Sequence, residues 1–136
     1  MKSLLGKVRR SDVIFRANGH FDLTARVVRA LNISSGDVVD VLSDGCEYYL
    51  YVASHSQFNS CGRYEAQVYP SNRKGGGQHF RGSSVRLCKA ILHAAKAAGK
   101  VALPCGEIVI DKDRKLLPII VRLNLTPENL QPTTDN

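Results

Sequence analysis

Gly19-His20-Phe21-Asp22-Leu23-Thr24-Ala25-Arg26-Val27-Val28-Arg29-Ala30-Leu31-Asn32-Ile33-Ser34-Ser35-Gly36-Asp37 is the stretch from which the architecture is read. Ala17-Asn18-Gly19 supplies turn residues that tolerate positive φ, and Val13-Ile14-Phe15 before it reads as a short strand. His20 to Leu23 alternates polar and apolar, the period of a half-buried strand. Thr24 is a candidate N-cap for a helix over Ala25 to Leu31, with Val27, Val28 and Leu31 on one face. Asn32 then leaves the helix, and Ser34-Ser35-Gly36-Asp37 turns the chain into a further strand.

Working outward, the β-rich runs Val38–Leu42 and Tyr48–Val52 flank Asp44-Gly45, which predicts a hairpin closed by a two-residue type I′ turn. Residues 54–63 read as a loop and Tyr64–Tyr69 as a strand that Pro70 ends. After the connector, Ser83 or Ser84 caps a predicted helix from Val85 to Ala98. Its apolar stripe is Leu87, Ile91, Ala94, Ala95 and Ala98, and Gly99 ends it. Gly106–Asp111 and Leu116–Leu123 read as strands around Lys112-Asp113-Arg114.

The chain therefore divides into a β-loop-helix-β-hairpin unit (1–70), a basic Gly-rich connector (71–79), a second helix-plus-hairpin unit packed on the first (80–125) and a disordered tail (126–136). The two halves share an order of elements, with Phe21 set against Phe80 and Gly36-Asp37-Val38-Val39 against Gly106-Glu107-Ile108-Val109, which suggests a pseudo-symmetric repeat. Phe80 has two readings: a core anchor opening a strand, which is favoured, or a ring that stacks on an exposed base.

With 136 residues, 43% hydrophobic and 23% charged, the composition is that of a globular chain of one domain or two small units sharing a core. No run approaches the roughly 18 apolar residues of a membrane span, and the start is too short in apolar residues for a signal peptide. A cytoplasmic protein with no membrane partner is expected. The four cysteines form no C-x-x-C, so they read as small hydrophobes rather than a zinc or redox centre. Cys88 and His93, five residues apart, do not share a helix face. No metal, cofactor, catalytic residue or enzymatic activity is expected.

The net charge of +7 is segregated: +5 over residues 1–36, −4 over 37–70, +7 over 71–100 and −1 over 101–136. Unmixed basic blocks suggest a face turned toward a polyanion, whereas a merely basic solvated surface is the plainer reading.

The stretch from Gly19 to Asp37, continued to Val52, resembles the signature of the SpoVT-AbrB family of swapped-hairpin DNA-binding proteins. The resemblance implies an α+β or mainly β fold of two β-loop-helix-β halves, an AbrB-like, MazE-like β-barrel with interlocked hairpins, and a homodimer. It also implies transcriptional regulation through duplex DNA. Arg29 is carried over directly to a helix position that contacts DNA in the family. Arg9-Arg10 resembles the basic pair on the family's first strand, and Arg16 and Arg26 are neighbouring candidates. The chain departs from the pattern at the turn, where His20 replaces an arginine, at Val28, and at Thr24, where a proline is usual. The second basic block adds Arg73, Lys74, Arg81, Arg86 and Lys89 as cations able to follow a phosphate backbone. The alternatives are an antitoxin-like or other protein-interaction module, and an RNA-binding protein.

Overall fold

The structure, a computed structural model, describes residues 11–55, 65–71 and 79–121. Two strands, β1 (Val13–Arg16) and β2 (His20–Leu23), lead into helix α1 (Ala25–Leu31), followed by β3 (Val38–Ser43) and β4 (Tyr48–Ser54). A two-residue strand β5 (Tyr69–Pro70), β6 (Phe80–Ser83), helix α2 (Val85–Ala94), β7 (Lys100–Leu103), β8 (Val109–Asp111) and β9 (Arg114–Ile119) complete the elements.

The strands fall into two open sheets, of order β5-β6-β2-β1-β7 and β3-β4-β9-β8. This corrects the expected AbrB-like swapped-hairpin barrel. A barrel needs its edge strands to pair, and here β5 and β7 bound one sheet while β3 and β8 bound the other. The β3–β4 hairpin is completed within the chain, Leu50 of β4 pairing with Leu117 of β9. Single bridges, Val38 to Gln67 and Cys105 to Ile119, are the β contacts outside the named strands among the described residues.

Phe15, Phe21, Leu23, Val27, Leu50, Val68, Ile91 and Ile119 are almost wholly buried and belong to one continuous core, with the Phe15 and Phe21 rings 5.9 Å apart. Each such side chain contributes roughly 1.5–3 kcal/mol by leaving water. Phe80 is part of this core, 4% exposed.

In the five-stranded sheet β6 and β2 lie side by side between β5 and β1, with β7 added beyond β1, and in the four-stranded sheet β4 and β9 lie side by side between β3 and β8. In the antiparallel β2–β6 pair His20 faces Ser83 and Leu23 faces Phe80. Thr24-Ala25-Arg26-Val27-Val28-Arg29-Ala30-Leu31 and Ser84-Val85-Arg86-Leu87-Cys88-Lys89-Ala90-Ile91 then occupy matching positions after β2 and β6. Phe21, set against Phe80 by sequence, shares its buried state: Phe21 is the second residue of β2 and Phe80 the first of β6.

Four further expectations are corrected. Ser43 pairs with Tyr48, so the first hairpin has a four-residue loop, in which the Asp44 carboxylate accepts the N–H groups of Cys46 and Glu47. The two-residue turn lies instead in the second hairpin, where Lys112 and Asp113 both have positive φ and Asp111 pairs with Arg114. Helix α2 stops at Ala94 because Lys96 turns left-handed (φ 56°), which frees Lys100–Leu103 to pair with β1. Of the expected stripe, Ile91 and Ala95 are buried, with Cys88 and Leu92 in place of Ala94 and Ala98. Finally, the strand expected over Tyr64–Tyr69 is reduced to the two residues of the edge strand β5, which ends at Pro70, where a missing N–H costs no ladder bond, and Tyr64 lies outside the described residues.

Candidate functional site

Of the five described arginines marked by sequence, four are spent on acids of the same fold. Arg26, on the first turn of α1, places Nη1 2.8 Å from Oδ2 of Asp12, a carboxylate that also accepts the Cys105 N–H. Arg86, at the matching position on α2, holds Glu65 with two hydrogen bonds, and the Ser84 hydroxyl donates to the same carboxylate. The Arg86 guanidinium and the Ser84 hydroxyl bring the Glu65 carboxyl down to about 2. Asp22 serves both Arg81, through two hydrogen bonds across β2–β6, and Arg16, whose Nη1 sits 2.8 Å from Oδ2 as a close charge contact. Burial alone raises the Asp22 carboxyl, and the hydrogen bonds and charges of Arg81 and Arg16 outweigh it, leaving it below its ordinary value.

Arg29 differs. It is exposed on the last turn of α1 and makes no ion pair among the described residues. Its counterpart on α2 is Lys89, also exposed and also without an ion pair among them. On α2 the outward face continues from Arg86 and Lys89 to His93, with Lys96 in the following turn, all exposed. The spacing of three and four residues puts Arg86, Lys89 and His93 on one side of the helix, opposite buried Cys88, Ile91 and Ala95. His93 and Lys96 carry the stripe beyond what the sequence reading marked. Recognising them required knowing that α2 ends at Ala94 and which face it buries.

His20 is exposed, and the turn before it abuts the start of α2. The Ser84 N–H donates to the Gly19 carbonyl, and a Cβ at Gly19 would meet Val85 Cγ2 at 2.8 Å. Arg9, Arg10, Arg73 and Lys74 lie outside the described residues. Within the described set, Lys and Arg outnumber Asp and Glu by one, so six of the seven net positive charges sit on the other residues. The sequences 1–10 and 72–78 join the fold at one end of the five-stranded sheet, since Val13 pairs with Leu23, Leu23 with Phe80 and Phe80 with Pro70.

Among the described residues no three His, Cys, Asp or Glu side chains are grouped to hold a metal ion. No described helix is long and apolar enough to cross a membrane. No known protein family, curated protein or solved structure matches the chain.

Proposed function

We propose that the chain binds duplex DNA through the outward faces of α1 and α2. The observation that carries this reading is the repeated exposed cation, Arg29 on α1 and Lys89 on α2. Arg26 and Arg86 each pair with an acid of the same fold, Asp12 and Glu65. Arg29 and Lys89 have no such duty among the described residues, so a charge kept in both copies points to an anion outside the protein. A phosphate backbone is the anion that two separated cationic helix faces can follow together. The β3–β4 hairpin pairs with β9 of its own chain, so this reading needs no hairpin exchanged with a second copy, and sedimentation at several concentrations distinguishes a monomer from the homodimer expected from sequence.

The test is fluorescence anisotropy of a duplex at two salt concentrations, with single-stranded RNA as competitor. Replacing Arg29 and Lys89 together by Ala should leave melting unchanged and lower the slope of log affinity against log salt by roughly 1.8. Absence of duplex binding by the wild-type chain at low salt overturns the reading, and preference for RNA transfers it to RNA.

A further inference from the structure

We propose that a pocket between the C-terminal end of α1, the end of β4 and the β8–β9 hairpin binds a phosphate monoester. The pocket encloses about 280 Å³ and is lined by Asn32, Tyr51, His55, Asp113, Arg114 and Lys115 together with apolar neighbours. This is large enough for a phosphate and a small carrier and below the usual range for drug-sized ligands. It shares no residue with the helix faces assigned to DNA, so it stands or falls separately.

Each basic group in the pocket is held or available for an anion. The Arg114 guanidinium lies over the Tyr51 ring, 5.3 Å from its centroid, and donates to Asp111 at 3.3 Å. A guanidinium fixed on a ring and a carboxylate has lost much of its freedom before a ligand arrives, and its other N–H groups remain for use. Lys115 makes no ion pair among the described residues. His55 places Nδ1 3.4 Å from Oδ2 of Asp37, a fully buried carboxylate that also accepts the Ser34 N–H at 2.8 Å. That contact occupies Nδ1 and leaves Nε2 as the ring nitrogen open to a ligand.

Asp113 is the one acid in this lining. Opposed to it are the Arg114 guanidinium and the Lys115 ammonium, with the His55 imidazole beside them at one concave site. A phosphomonoester carries about −1.5 to −2 charge near pH 7 and three acceptor oxygens. It can therefore take N–H donors from both cations on separate oxygens, whereas a carboxylate offers two oxygens and one charge. The phosphate could belong to a free nucleotide or to the 5′ end of a nucleic-acid strand, and the chemistry at the pocket is the same.

The experiment is a titration of the isotope-labelled full chain with AMP, followed by amide shifts, with adenosine and sulfate as controls. Saturable shifts at Asn32, Tyr51, His55 and Lys115 are expected with AMP and not with adenosine. Changing Arg114 and Lys115 to Gln should weaken AMP binding by about tenfold or more, and Lys89→Ala should leave it unchanged. Should the double variant lose its fold by circular dichroism, Lys115→Gln alone is read, with a smaller loss expected. A short single strand with and without a 5′-phosphate separates the two sources: a strand that binds more tightly than AMP only when phosphorylated assigns strand ends, and otherwise AMP is favoured. Absence of saturation at millimolar AMP, equal binding of sulfate or adenosine, or an undiminished substituted chain overturns the proposal.

Discussion

Arg26 Nη1 and Asp12 Oδ2 lie 2.8 Å apart, and the same Asp12 oxygen accepts the backbone N–H of Cys105. One carboxylate thus joins the approach to β1, the first turn of α1 and the bridge residue that follows β7. Asp12 is 5% exposed, whereas the Arg26 side chain is about half exposed. The pair is therefore part buried and part screened, and its worth lies in what Asp12 would lose if left alone.

Arg26→Ala should consequently lower stability by about 1–2 kcal/mol, because a nearly buried carboxylate loses a charged donor but keeps the Cys105 N–H. Arg29→Ala, on the same helix without such a partner, should stay within about 0.5 kcal/mol. Urea denaturation of the two variants checks this contrast. Equal midpoints would remove the division between a clasping and an outward arginine.

Gly82→Ala should cost more than Gly45→Ala. A Cβ at Gly82 would sit 2.7 Å from Phe21 Cζ and 2.8 Å from Val68 Cγ1, both in the core, and overpacking of that kind costs about 1–3 kcal/mol. Gly45 has open space around it but a φ of +99°, so the penalty there is backbone strain alone, about 1 kcal/mol. Thermal melts of the two variants give the ranking directly.

Acid should loosen the second half through Glu65. Its carboxyl lies near 2 in the folded chain against an ordinary 4.5, because Arg86 and Ser84 donate to it. A carboxyl depressed by folding adds stability that is complete above its unfolded value and is lost as pH falls through the folded one. The melting temperature should therefore decline between about pH 4.5 and about 2, with Asp22, also depressed, contributing in the same direction. Glu65→Gln should flatten that decline, and an unchanged pH profile would separate Glu65 from the stability of the fold.

Thiol labelling should divide the described cysteines. Cys46 is exposed in the first hairpin loop, while burial raises the Cys88 thiol and burial with the Asp12 charge pushes Cys105 up to about 12. Thiolate is the reactive form. Mass spectrometry after brief iodoacetamide treatment at neutral pH should find Cys46 modified and Cys105 unmodified until denaturant is added.

The local elements were legible in the sequence where short-range physics decides them. His20–Leu23 and Ala25–Leu31 are a strand and a helix to the residue, since alternation, a helical face and Asn32 in a left-handed cap are neighbouring-residue effects. The hairpin loops were misassigned because Asp44 can bond its own backbone and so stabilises a longer loop, while Lys112-Asp113 adopts positive φ without a glycine. Strand β7 was not legible: Lys100-Val101-Ala102-Leu103 is short, and its strand state comes from the free edge of β1. The candidate arginines were identifiable as cations but not as partners, because ion pairing such as Asp22 with Arg81 spans distant chain positions. Composition and local pattern thus determined most of the helices and strands, β7 and the end of α2 excepted, and how charge is dealt along the chain. Only tertiary structure decided that two open sheets form rather than a barrel, and which cations are neutralised, because edge pairing and charge neutralisation depend on distances between segments far apart in the chain.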